Sequence, residues 1–63
     1  MEDNDQAAAD AEALEKNYRR GIKACFTVLL ENLAAGDADA AGRFYRCCAT
    51  CRLAREIARK TCA

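Results

Sequence analysis

Apolar side chains recur along the first half of the chain at Ala7, Ala11, Leu14, Tyr18, Ile22, Cys25, Leu29 and Leu33, always three or four residues apart. That spacing holds them on one face of an α-helix, because such residues stack on one side at 3.6 residues per turn. Gly21 is the one glycine between Gln6 and Ala35. Asp5 suits an N-cap, Asp10, Glu12 and Glu15 favour the positive early turns, and Gly36 stands where a left-handed glycine closes a helix. The pattern predicts a first helix over about 6–35.

Gly36-Asp37-Ala38-Asp39 then supplies a stop and a restart, since either aspartate can accept hydrogen bonds from the unpaired N–H groups of a following helix. A second helix is predicted over about 38–60, after a turn at about 36–38. It carries two apolar rows. One is Phe44, Cys47, Cys51, Ala54 and Ala58, with Cys48 and Cys62 at its edge; the other is Tyr45, Ala49, Leu53 and Ile57, in steps of four. A short link between long helices makes them antiparallel neighbours. The fold class is therefore all-α, an antiparallel two-helix hairpin. Its core is expected to be Leu14, Tyr18, Ile22, Cys25, Leu29 and Leu33 against Phe44, Cys47, Cys51, Ala54 and Ala58. A single facing helix cannot cover both rows, so Tyr45, Leu53 and Ile57 are expected to contact another protein or a second copy in a larger helical bundle. Residues 1–5 are expected to form a flexible acidic tail and residues 6–63 the hairpin.

Composition sharpens this. A chain of 63 residues forms one domain and buries only about 60% of its unfolded surface. Its 52% hydrophobic content is mostly 15 alanines and 5 cysteines. Such a thin seam calls for a disulfide, a metal or a partner, and the second apolar row points to a partner. The formal charge is zero but unevenly spread: residues 1–15 are acidic with no base, and residues 43–60 are basic with Glu56 the lone acid. Neutrality argues against a nucleic-acid partner. No apolar run approaches the roughly 18 residues of a membrane span. The acidic start lacks the basic region of a secretory signal, so a cytoplasmic location is expected. The sequence has no His, Ser or Trp, so no Ser-His or Cys-His nucleophile pair can be assembled, and neither catalysis nor a cofactor is expected.

Cys47, Cys48 and Cys51 fall within two turns of one helix and only Cys25 lies in the other, unlike hairpins stapled by twin Cys-x3-Cys or Cys-x9-Cys pairs. Cys48-x2-Cys51 sits mid-helix without a knuckle glycine, unlike a structural zinc site, and no metal is expected. The cysteines are expected to be reduced, small, buried hydrophobes; for a disulfide the candidates are Cys25 with Cys47 or Cys51. Arg52, Arg55 and Arg59 form a basic stripe with no interleaved aromatic for base stacking. In an antiparallel hairpin, Asp10, Glu12 and Glu15 are placed to neutralise much of it.

Leu33-Ala34-Ala35-Gly36, then Asp37-Ala38, Phe44-Tyr45, and Ala49, Leu53 and Ile57 beyond them resemble the small E-type co-chaperones of bacterial type III secretion. That family's pattern is a helix ending in Leu-Ala-x-Gly, a short turn and an aromatic pair opening the second helix; the resemblance runs from Leu29 to Ile57, and the cysteines are no part of the family's pattern. It implies a non-enzymatic adaptor that pairs with a helical-repeat chaperone and, with it, keeps the needle subunit soluble in the cytosol. Leu29-Leu30-Glu31-Asn32-Leu33 with Asp37-Ala38-Asp39 also resembles the turn region of Rop-like plasmid copy-number regulators. This implies an alternative, a homodimeric four-helix bundle that binds RNA. Extending that register puts Glu15, Arg19, Arg52 and Arg55 at the family's core positions and Gly21 where it presents an RNA-stacking aromatic; Asn17 alone keeps an RNA-contacting identity.

Overall fold

The computed structural model describes the backbone of residues 2–62 and the side chains of residues 6–61. Two α-helices, α1 (Glu2–Ala34) and α2 (Ala40–Cys62), pack as an antiparallel hairpin. The all-α architecture read from the spacing is the one that forms. Both helices start elsewhere than expected. α1 begins at Glu2, one turn before residue 6, so Asp5 falls inside the helix and not at its N-cap. The side chains of the predicted acidic tail, residues 1–5, lie outside the described residues. α2 begins at Ala40 because Asp37, Ala38 and Asp39 are consumed by the turn.

That turn is built from main-chain hydrogen bonds. Gly36 has φ +78°, its N–H donates to the Leu33 carbonyl at 3.1 Å, and the Asp37 N–H donates to the Asn32 carbonyl at 2.9 Å. These two bonds close α1 in a Schellman motif, whose left-handed residue favours glycine. The chain restarts when the Asp37 carboxylate accepts the Asp39 N–H at 2.9 Å and the Asp37 carbonyl accepts the Ala40 N–H at 3.2 Å. Arg43 Nε donates to the other Asp37 oxygen at 2.9 Å, and Arg46 reaches Asp39 at 3.1 Å. The Asp39 N–H and then Arg43 hold the Asp37 carboxyl below the usual carboxylate range.

The molecule is 53 Å long and only 16 by 8 Å across its Cα trace. α1 has 33 residues and α2 has 23, and Glu15 meets Arg59 near the end of α2. The earliest turns of α1 therefore project past the last turn of α2, with no facing helix there among the described residues.

Between the helices lies a seam, not a broad core. Cys25 and Ala40 are fully buried, each 1% exposed, while Leu14, Tyr18, Ile22, Leu29, Phe44, Cys47, Cys51 and Ala58 are partly buried. Two expected core residues are not. Leu33 is 58% exposed. At 100° per residue, each four-residue step from Cys25 through Leu29 turns the side chain a further 40° or so off the seam, which leaves Leu33 on the flank. Ala54 is exposed because it sits about 60° around α2 from Cys51. On the other edge Arg55 takes the partly buried place, its guanidinium 3.9 Å above the Tyr18 ring.

The cysteines also depart from expectation. Cys25 and Cys47 form a disulfide, with Cα atoms 5.8 Å apart, and Cys48 and Cys51 keep free thiols. Cys47 lies on the α2 face that meets Cys25, and the close approach that small Cys and Ala side chains permit brings the two sulfurs within bonding range. Stabilisation assigned to a partner alone is thus partly covalent.

Candidate functional site

The row proposed for partner contact is open: Tyr45, Leu53 and Ile57 keep 69%, 61% and 55% of their surface. It is not a straight stripe. Three steps of four residues rotate the row by about 120°, so Tyr45 and Ile57 face different sides of α2.

α1 contributes exposed apolar side chains that the sequence reading missed, Phe26 and Leu30, beside the misplaced Leu33. Their spacings of four and three are legible in the sequence, but they lie off the row through Cys25 that the periodicity picks out. Glu15 shows which way they point. Glu15 and Leu33 are 18 residues apart, five helical turns, and so lie on one line of α1. On α2, Tyr45, Arg52 and Arg59 fall close to one line at intervals of seven. Since Glu15 Oε1 accepts a hydrogen bond from Arg59 at 2.7 Å, these two lines border the same flank of the hairpin. Its turn-proximal half is apolar, with Phe26, Leu30, Leu33 and Tyr45. Its far half is charged, with Glu15, Arg55 and Arg59. Leu53 and Ile57 sit outside it, along the outer edge of α2.

The charged half is internally matched. Glu15 Oε2 lies 3.7 Å from Arg55 and is shielded from solvent, while its other oxygen holds Arg59. Of the three acids expected to neutralise the basic stripe, Glu15 does so; Asp10 instead accepts from Gln6 at 3.5 Å, and neither Asp10 nor Glu12 forms an ion pair among the described residues. Glu15 and Arg55 are partly buried, whereas Arg19 and Arg52 are exposed.

On the opposite flank a shallow groove of about 700 Å³ is lined by Val28, Asn32, Asp37, Arg43, Arg46, Cys47 and Thr50. A smaller cavity of about 180 Å³ lies along the seam between Leu14, Asn17, Tyr18, Cys51, Ala54 and Arg55. Among the described residues no three His, Cys, Asp or Glu side chains gather as a metal site, and no helix is long and apolar enough to cross a membrane. Comparison with known protein families, curated proteins and solved structures finds no match to this chain.

Proposed function

We propose that this hairpin is a non-enzymatic protein-binding adaptor that docks a helical partner through its exposed apolar side chains. The observation that carries this reading is the run of Phe26, Leu30, Leu33 and Tyr45 along one flank, each about half or more exposed, with Leu53 and Ile57 exposed farther round α2. Surface area supports it. The chain exposes 5102 Å², against about 4000 Å² for a compact protein of its mass. The surplus is of the order of one partner's share of a standard interface, about 800 Å². The Tyr45-to-Ile57 row is an i, i+4 ridge, the kind that seats in the groove of a crossing helix.

The partner class we propose is a helical-repeat chaperone, with the hairpin serving as cytoplasmic co-chaperone of a type III secretion needle subunit; this rests on the resemblance between Leu29 and Ile57. An RNA-binding role draws no comparable support, because Arg55 and Arg59 are already engaged with Glu15 and Tyr18. Co-expression with such a chaperone, followed by sizing, is the test. Leu53→Asp with Tyr45→Asp should weaken the complex by about 2 kcal/mol per anchoring residue, roughly thirtyfold in Kd. Circular dichroism of the hairpin should stay nearly unchanged, since exposed substitutions shift stability by about 0.5 kcal/mol. A matching loss of helicity would assign those residues to the fold, and a chain that stays monomeric with every candidate would overturn the adaptor reading.

A further inference from the structure

The disulfide has a third sulfur beside it. Cys51 Sγ lies 3.9 Å from Cys25 Sγ, which is itself bonded to Cys47. Cys47 and Cys51 are one helical turn apart on α2, so both present sulfur to the same point of α1. The arrangement has its own accommodation in the sequence. A Cβ added at Gly21 would stand 3.0 Å from Cys51 Sγ, so the glycine within α1 leaves the space this thiol occupies. Cys25 is buried at 1% exposure, whereas Cys47 opens into the groove that Arg43 and Arg46 also line.

We propose that Cys25, Cys47 and Cys51 form a thiol–disulfide exchange centre in which buried Cys25 alternates between two partners on α2. Cys51 loses its proton and its thiolate attacks Cys25 Sγ. A Cys25–Cys51 bond forms, the Cys25–Cys47 bond breaks, and Cys47 departs with the electron pair and takes up a proton. Both states hold one disulfide and one thiol of the three, so neither oxidant nor reductant is consumed. The hairpin stays stapled throughout. What changes is the thiol on offer: Cys51 in the seam cavity in one state, Cys47 in the groove in the other. Cys47 is thereby a modification site for small thiol-reactive molecules, open only after exchange.

Native alkylation of the air-equilibrated protein with iodoacetamide, then tryptic digestion without reduction, reads both states. Fragmentation of the peptide spanning residues 47–52 separates labels on Cys47, Cys48 and Cys51, with Cys48 as the internal control. The wild type should give both the 25–47 and the 25–51 cross-link, with label on Cys51 and on Cys47 respectively. Cys51→Ser should lose Cys47 labelling while Cys48 labelling persists, and Cys47→Ser should carry the 25–51 disulfide throughout. Gly21→Ala keeps every sulfur but crowds Cys51, and should slow the appearance of labelled Cys47 with helicity retained. Cys47 labelling in the wild type no higher than in Cys51→Ser would overturn the proposal, as would Cys25 found free and alkylated in Cys47→Ser.

Discussion

Gly36 closes α1 with a positive φ that a Cβ would strain, and open space around it means no neighbour would compensate or object. Gly36→Ala should therefore cost about 1–2 kcal/mol, the penalty of a left-handed L-residue, read as a lower urea midpoint with an unchanged slope. Asp37, next in the chain, gives the turn a pH dependence whose sign is fixed by its environment. The Asp39 N–H and the Arg43 guanidinium favour its ionised form, so its carboxyl titrates lower in the folded chain than in the unfolded one. Its contribution is complete above the usual carboxylate range and disappears as pH falls through the lowered folded value. Thermal melts followed from neutral pH to about pH 3 should show part of the acid destabilisation missing in Asp37→Asn, which retains an acceptor for the Asp39 N–H but no charge for Arg43. Equal acid sensitivity in the two proteins would place that dependence elsewhere.

Between the helices, the ion pairs are at least partly exposed, where such contacts contribute little. Glu15 bridges Arg55 and Arg59, which ties the early part of α1 to the last turns of α2, but Arg59 is largely exposed and Arg55 is also held by Tyr18. Glu15→Gln should thus destabilise the hairpin by no more than about 1 kcal/mol, with the difference shrinking as salt is raised. A larger, salt-independent loss would mean that the shielded Glu15 Oε2 anchors the seam. The same level shows what the sequence discloses. Helix number, the hairpin and the Gly36 stop follow from local spacing and turn chemistry, which act within a few residues. Which side of each helix faces its neighbour depends on the angle at which two imperfect apolar rows meet. Four-residue steps carry Leu33 out of the seam, and Arg55 enters on the edge opposite Ala54, because an aliphatic stem and a ring below it make a polar residue acceptable there. The Cys25–Cys47 pairing was one of two open options, since Cys47 and Cys51 both face Cys25 and spacing alone does not choose between them.

For the molecule as a whole, a 53 Å hairpin with two fully buried residues among those described has little packing energy to offset the ordering of its chain. Half-exposed Leu, Phe and Tyr side chains recover only part of their transfer free energy. A crosslink with 22 residues of sequence separation acts instead on the unfolded chain, removing about 3 kcal/mol of loop-closure entropy from it. That is a large fraction of what so small a domain retains. Reduction by a phosphine should accordingly lower the urea midpoint by an amount equivalent to about 3 kcal/mol, and Cys25→Ala, which removes either disulfide that α1 can form, should show the same loss and no response to reductant. Reduction of Cys47→Ser should cost nearly as much as reduction of the wild type if Cys51 can take over as the partner of Cys25. A reduced wild type as stable as the oxidised one would mean that packing along the seam holds the hairpin closed unaided, and the sulfurs would then be chemistry laid over a fold that does not need them.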